Sequence, residues 1–233
     1  MKSSIRLKAI IFDLDGTLLD SIRDIASAMN QALSALGYPK HSEAAYHKYI
    51  GSGQRELTRR ALPTKDRNKN TINELSQKYW DAYDAEWYLS TRPFQGILHT
   101  IQLSVSHKIK LAILSNKPHY FTKKMIRHFF RGAMISHTKN PFGIYSGQVP
   151  EKPAKPDPTL ALELAKRLKE DPTDIAFVGD MPVDIETAKN AGMIAIGAAW
   201  GYGCKEALQK AGADMIFDTP LELSRFIEEL PLI

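Results

Sequence analysis

The sequence predicts an α/β protein built on a doubly wound parallel sheet and interrupted by an inserted helical domain. Three observations carry this. Short apolar runs recur at residues 8–12, 110–114, 175–178, 193–196 and 215–217, and continuous runs of this kind mark strands buried on both faces. Helical patterns separate the later runs, at 157–169, 183–190 and 204–210, and strands alternating with helices build a parallel sheet covered on both sides. Between Asp20 and Arg92 the strand-like runs vanish and amphipathic helices take their place.

Taken in order, the first run stops at Asp13 and gives the first strand. In residues 21–36, Ile22, Ile25, Met29, Leu33 and Leu36 recur at three- or four-residue steps, with Asp20 or Ser21 as N-cap and Gly37 as the stop. A second long helix is predicted over 71–88, carrying Ile72, Leu75, Tyr79, Tyr83 and Trp87. These aromatics read as core rather than as a stacking platform for bases. The chain rejoins the sheet near Pro93, so the domains expected are a core of 1–19 plus 93–233 and a helical insertion of 20–92. Residues 150–158 form a Pro-rich loop that fits neither helix nor sheet.

Composition narrows the function classes. At about 150 residues per domain, a chain of 233 residues holds one large domain or a main domain with a smaller one. Hydrophobic residues at 43% and charged residues at 24% exclude disorder, collagen and coiled coil. Lys and Arg total 31 against 26 Asp and Glu, a net charge of +5 that suits nucleic acid, a membrane surface or a phosphorylated metabolite. No basic run with interleaved aromatics supports nucleic acid, since the richest cluster, Arg55 to Lys69, is interrupted by Pro63. The apolar residues 9–12 end at Asp13 and the charge-free stretch 191–204 is short and Gly-rich, so neither a signal peptide nor a membrane span is expected. Cys204 is the sole cysteine, which rules out an intrachain disulfide and a zinc site of clustered cysteines. A cytoplasmic location is the expectation.

The residues that carry chemistry stand at strand ends. Asp13-Leu14-Asp15-Gly16-Thr17 closes the first strand, and two carboxylates so placed repel unless a cation joins them. Alone, the segment reads equally well as a solvated Asp-Gly turn. A second such end follows at Val178-Gly179-Asp180-Met181-Pro182-Val183-Asp184. Asp184 by itself is a helix N-terminal carboxylate, but carboxylates from two strand ends make a hard oxygen site suited to Mg²⁺. Ser115 and Asn116 end another strand, where a hydroxyl, an amide and backbone N–H groups can grip phosphate oxygens, or else cap the next helix. Lys155, flanked by prolines, is more constrained than a surface lysine, with Lys152 as the competitor for its role.

These four blocks, in this order, resemble the haloacid dehalogenase superfamily of phosphatases. The motifs are D-x-D-G-T at 13–17, Ser115 after an apolar strand, Lys155 in K-P-x-P and G-D-x-x-x-D at 179–184. The chain is similar to phosphoglycolate phosphatase-like members at Asp15 to Ser21, Ile50 to Gly53, Ala191 to Met193 and Trp200 to Tyr202. The resemblance implies a Rossmann-like core whose helical insertion is a mobile cap. It implies Asp13 as nucleophile, forming an aspartyl-phosphate, and Asp15 as the acid that protonates the leaving alcohol and then deprotonates water. Mg²⁺ would be held by Asp13, the backbone carbonyl of Asp15 and Asp180, with Asp184 as a ligand through water or as outer support. Ser115 and Lys155 would steady the transferring phosphoryl group, with Gly16, Thr17 and Asn116 as further substrate contacts. An aspartate at 15 points to phosphate esters or anhydrides rather than halide displacement. Substrate choice falls to the cap, with Gly53, Gln54 and Arg55 as candidate contacts, although Arg55 taken by itself reads first as a solvated helix residue. Residues 128–147 depart from the family pattern and are expected to be irregular.

The function expected is therefore Mg²⁺-dependent hydrolysis of a small phosphorylated metabolite, with 2-phosphoglycolate as leading candidate. A phosphotransferase or sugar-phosphate mutase on the same core is the alternative, and a nonenzymatic binding protein a more distant one. No nucleic-acid or membrane partner is expected.

Overall fold

A computed structural model of the chain describes residues 6–130 and 140–231. In chain order its elements are β1 (Ala9–Phe12), β2 (Leu19–Asp20), α1 (Ile22–Ala35), α2 (Glu43–Tyr46), α3 (Gln54–Ala61), α4 (Lys69–Glu86), β3 (Arg92–Pro93) and α5 (Ile97–Ser106). They continue as β4 (Lys110–Pro118), α6 (His119–Phe129), β5 (Ile144–Gln148), α7 (Thr159–Leu168), β6 (Ile175–Gly179), α8 (Pro182–Asn190), β7 (Ile194–Ala198), α9 (Lys205–Lys210), β8 (Met215–Phe217) and α10 (Pro220–Glu228). Six strands form one sheet in the order β5-β4-β1-β6-β7-β8, and every pairing in it is parallel. This is the doubly wound α/β architecture that the apolar runs predict.

β1 sits at the middle of the sheet, which is why each of its four residues is buried. Ala9 and Ile11 face a layer containing Leu160, Leu164, Leu168, Ile185 and Leu208 from α7, α8 and α9. Phe12, one register step away, meets Phe142 edge-on at 6.4 Å, and Phe142 in turn meets Phe130. Period-two alternation in a central strand thus feeds two apolar layers.

One expectation is corrected at the sheet edge. Residues 144–147, read from sequence as irregular, belong to strand β5, which runs to Gln148 against β4. An edge strand has one paired side and half-buried side chains, so Ile-Tyr-Ser-Gly-Gln needs no continuous apolar run. Of the rest of that reading, His128 and Phe129 close helix α6, residues 140–143 carry no helix or strand, and 131–139 lie outside the described residues. Helices α5, α6 and α10 also escaped the sequence reading.

The chain divides into two compact units, Leu19–Arg92 and the remainder. In the first, α1 buries Ile25, Met29 and Leu33, and α4 buries Ile72, Leu75, Tyr79 and Tyr83. Gly37 follows the end of α1 at φ +76°, a left-handed stop that other residues adopt only at a cost. No helix among the described residues is long and apolar enough to cross a membrane.

Candidate active site

In open parallel sheets ligands collect beyond the carboxyl ends of the strands. β1 delivers Asp13 there, and Asp13 N still donates to Val178 O of β6 at 2.9 Å. β4 delivers Ser115, Asn116 and Lys117, all buried. β6 ends in Gly179 and leads into Asp180, and Asp184 lies in the first turn of α8. Lys155 comes from the loop before α7.

Lys155 is the hub. Its side chain is only 2% exposed, and Nζ donates to Asp13 Oδ1 at 2.7 Å and Asp184 Oδ1 at 2.6 Å. Asn116 fixes its main chain in both directions: Lys155 N donates to Asn116 Oδ1 at 2.9 Å, and Asn116 Nδ2 donates to Lys155 O at 3.2 Å. Lys152, the competitor, pairs instead with Glu163 near the surface.

The three carboxylates of Asp13, Asp180 and Asp184 each present an oxygen within 4.8 Å of the others. Asp184 is turned by its cap role, Oδ2 accepting from Met181 N at 3.0 Å. Asp180 is held at both oxygens: Oδ1 accepts from Thr17 Oγ1 at 3.0 Å and Oδ2 from Tyr202 N at 2.9 Å. The loop 200–203 wraps this point. Trp200 Nε1 donates to Thr17 O at 2.9 Å, and a Cβ on Gly201 would lie 2.2 Å from Gly16 O and 2.3 Å from Asp180 Cβ. Gly16 itself, at φ +92°, brings bare backbone against the Asp180 carboxylate, where a Cβ would lie 2.3 Å from Oδ2. Only glycine fits either place.

The electrostatics follow from crowding. Burial, opposed by Lys155 and reinforced by Asp184, pushes the Asp13 carboxyl up to about 7. Burial and then repulsion from Asp184 and Asp13 push Asp180 well above the ordinary carboxylate range. Burial alone would lower Lys155, but Asp13 and Asp184 more than reverse this and raise it. Three buried carboxylates stand together and the Lys155 ammonium pairs with two of them, Asp13 and Asp184, so the group carries more acidic than basic charge, and the donors are all hard oxygens. That set fits a divalent cation, and the Mg²⁺ expected from sequence suits it by charge and donor type.

Nine residues expected from sequence therefore lie at the sheet's carboxyl end: Asp13, Asp15, Gly16, Thr17, Ser115, Asn116, Lys155, Asp180 and Asp184. Two of them make contacts other than those expected. Asn116, expected on the substrate, clamps Lys155, and Thr17, also expected there, holds Asp180. The Asp15 side chain stands outside the three-carboxylate group and pairs with Lys117, Nζ lying 2.9 Å from Oδ2. Gly53 and Arg55 belong to the other unit. Gly53 is the N-cap of α3, and exposed Arg55 donates to Asn73 Oδ1 at 3.1 Å. Sequence reasoning gave Lys117 no role, and it singled out Trp200 to Tyr202 only within the resemblance, without their contacts to Thr17 and Asp180. The Trp-Gly-Tyr-Gly spacing is a signal for a loop folded tightly on something, but not for what it meets.

An open parallel sheet that gathers three carboxylates and two ammonium groups beyond its strand ends is an α/β core whose chemistry suits a cation and an anionic ligand. Comparison with known proteins makes the class specific. A sequence profile of haloacid dehalogenase-like hydrolases matches residues 10–198. A phosphoglycolate phosphatase from Aquifex aeolicus is 34% identical over 196 residues, covering 84% of this chain and 86% of its own. One from Vibrio cholerae is 33% identical over 226 residues, covering 91% and 93%. A crystal structure from Lactobacillus delbrueckii subsp. bulgaricus, assigned as a phosphoglycolate phosphatase, superposes with a TM-score of 0.86 at 28% identity, covering 95% of this chain and 98% of that one. The chain belongs to the haloacid dehalogenase-like hydrolase family. It is an enzyme of the phosphoric monoester hydrolase class, phosphoglycolate phosphatase-like in sequence.

Proposed function

We propose that this protein is a Mg²⁺-dependent phosphatase that hydrolyses a small phosphorylated metabolite through an aspartyl-phosphate on Asp13, with 2-phosphoglycolate as leading substrate. The observation that supports this best is the buried Asp13 carboxylate steadied by Lys155 Nζ at 2.7 Å, with Asp180 and Asp184 beside it. The relatives named phosphoglycolate phosphatase support the substrate.

Asp13 attacks phosphorus while Asp15 protonates the departing alcohol oxygen, and Asp15 then takes a proton from the water that opens the acyl phosphate. Lys155 and the Ser115 hydroxyl hold charge that builds on the phosphoryl oxygens. Asn116 keeps Lys155 in place, and Thr17, Trp200 and Tyr202 do the same for Asp180 and its loop. Asp13, Asp180 and the backbone carbonyl of Asp15 would hold Mg²⁺, with Asp184 behind them, and the ion when bound neutralises charge on the transferring group. In the helical unit, taken as the cap, Gly53 and Arg55 are assigned to substrate choice. Arg55→Ala should change the ranking of substrates more than the hydrolysis of a small generic ester.

The test is inorganic phosphate release from a panel of phosphorylated metabolites with Mg²⁺. Chelation should abolish release and added Mg²⁺ restore it, and the Asp13→Asn variant should release none. Equal release by the variant would remove Asp13 as nucleophile. Transfer of the phosphoryl group to a second sugar without phosphate release would favour a mutase instead.

A further inference from the structure

Lys117 is a buried lysine that the mechanism above does not use. It is 8% exposed, and Nζ donates to both oxygens of Asp15, at 2.9 and 3.2 Å. Its backbone is built into place. Lys117 N donates to Ser115 Oγ at 3.2 Å, and Lys117 O accepts from Thr122 Oγ1 at 3.2 Å. Gly147 of β5 passes so near that a Cβ there would lie 2.6 Å from Lys117 O and 2.4 Å from Thr122 Oγ1. The β4–β5 pairing also shifts register between Leu114 and Pro118, the stretch that carries Lys117.

The partner of this ammonium is the residue assigned to the leaving oxygen. A general acid stands about 2.6–3.2 Å from the oxygen it protonates. Adding the Lys117–Asp15 distance puts the ammonium within about 6 Å of the leaving oxygen. An anionic group one carbon beyond that oxygen spans such a gap, and the leaving group of 2-phosphoglycolate carries its carboxylate there. Lys155 is not available for this, since its ammonium bridges Asp13 and Asp184.

We propose that Lys117 is a specificity-determining residue. Its ammonium, held by Asp15 in the free protein, pairs with an anionic group, foremost a carboxylate, placed one carbon beyond the leaving oxygen. One carboxylate replaces another on the ammonium, so the contact that recognises the substrate also releases Asp15 toward the leaving oxygen. A neutral alkyl leaving group offers no such exchange.

This inference rests on the phosphatase reading, and its test separates the two. kcat/KM is measured with Mg²⁺ for 2-phosphoglycolate and for ethyl phosphate, which has a methyl in place of the carboxylate. The unmodified protein should prefer the anionic substrate, and Lys117→Met and Lys117→Gln should each lower the ratio of the two constants by about 30-fold. Lys117→Arg, which keeps the charge, should retain more of the ratio than either. Thermal melting checks that each variant folds, and the arginine variant supplies the comparison if the neutral ones do not. Equal losses on both substrates mean that Lys117 serves only Asp15 or the fold, and overturn the proposal. A protein that hydrolyses ethyl phosphate without preferring 2-phosphoglycolate overturns it too while leaving the phosphatase reading standing. A protein that hydrolyses neither but releases phosphate from other members of the panel overturns it alone, and one that releases phosphate from none overturns both.

Discussion

The two units bury carboxylates in opposite ways. In the helical unit Asp24, 4% exposed, accepts from Ser90 N at 2.9 and 3.1 Å, from Thr91 N at 2.8 Å and from Thr91 Oγ1 at 2.7 Å. Neutral donors from one turn take the place of water around it, and it ties α1 to the end of α4. In the core, Asp13, Asp180 and Asp184 crowd together, the Lys155 ammonium pairs with Asp13 and Asp184 alone, and burial with repulsion from Asp184 pushes Asp13 up to about 7. Burial is common to both, so it does not mark a functional carboxylate. What sets the core group apart is like charge crowded together, an arrangement that a bound cation would balance.

That contrast can be broken by substitution. The largest effect is expected from Asp13→Asn, which should lower phosphate release by at least ~10⁴-fold, the scale seen when a nucleophile is removed, without loss of the folded state. Lys155→Met leaves Asp13 and Asp184 without their shared cation, so denaturant titration should show a loss of about 3 kcal/mol alongside a collapse of activity. Asp24→Ala strands the donors of Ser90 and Thr91, and should cost about 3 kcal/mol by the same titration while kcat per folded molecule is kept. Asp180→Asn should do the reverse: without added metal it relieves repulsion and stabilises by about 1 kcal/mol, yet phosphate release falls sharply. A destabilised Asp180→Asn with full activity would erase the distinction between the two sites.

The smallest effect concerns a surface triad in the helical unit, Glu56 with Arg59 and Arg60. Hydrogen bonds from Arg59, and then Arg60, hold the Glu56 carboxyl down at about 2. The folded value lies below the ordinary one, so this group's contribution is present above about pH 4.5 and is lost as pH falls toward 2. Exposure to water keeps it to a few tenths of a kcal/mol. Comparing urea midpoints at pH 6 and pH 3 for Glu56→Gln and the unmodified protein should show a slightly smaller acid-induced drop in the variant.

Features set by neighbouring residues are legible in the sequence. β1, β4 and β6 are buried on both faces and therefore spell themselves as apolar runs, and the aspartates that follow β1 and β6 are adjacent in sequence to those runs. β5 was not legible, because an edge strand carries mixed residues such as Tyr145, Ser146 and Gln148. The contacts of Thr17 and Asn116 were not legible either, since their partners lie 163 and 39 residues away in the chain. Nothing in Leu-Ser-Asn-Lys-Pro shows that Lys117 meets an aspartate 102 positions earlier.

The sequence by itself determined the doubly wound sheet, the haloacid dehalogenase-like resemblance and the identity of the acidic strand ends, because each depends on residues near one another in the chain. The tertiary structure alone decided which ammonium serves which carboxylate, Lys155 with Asp13 and Asp184 and Lys117 with Asp15. Those pairings arise where separate strands end side by side, and a hydrogen bond of under 3 Å is set by packing that no run of neighbouring residues encodes.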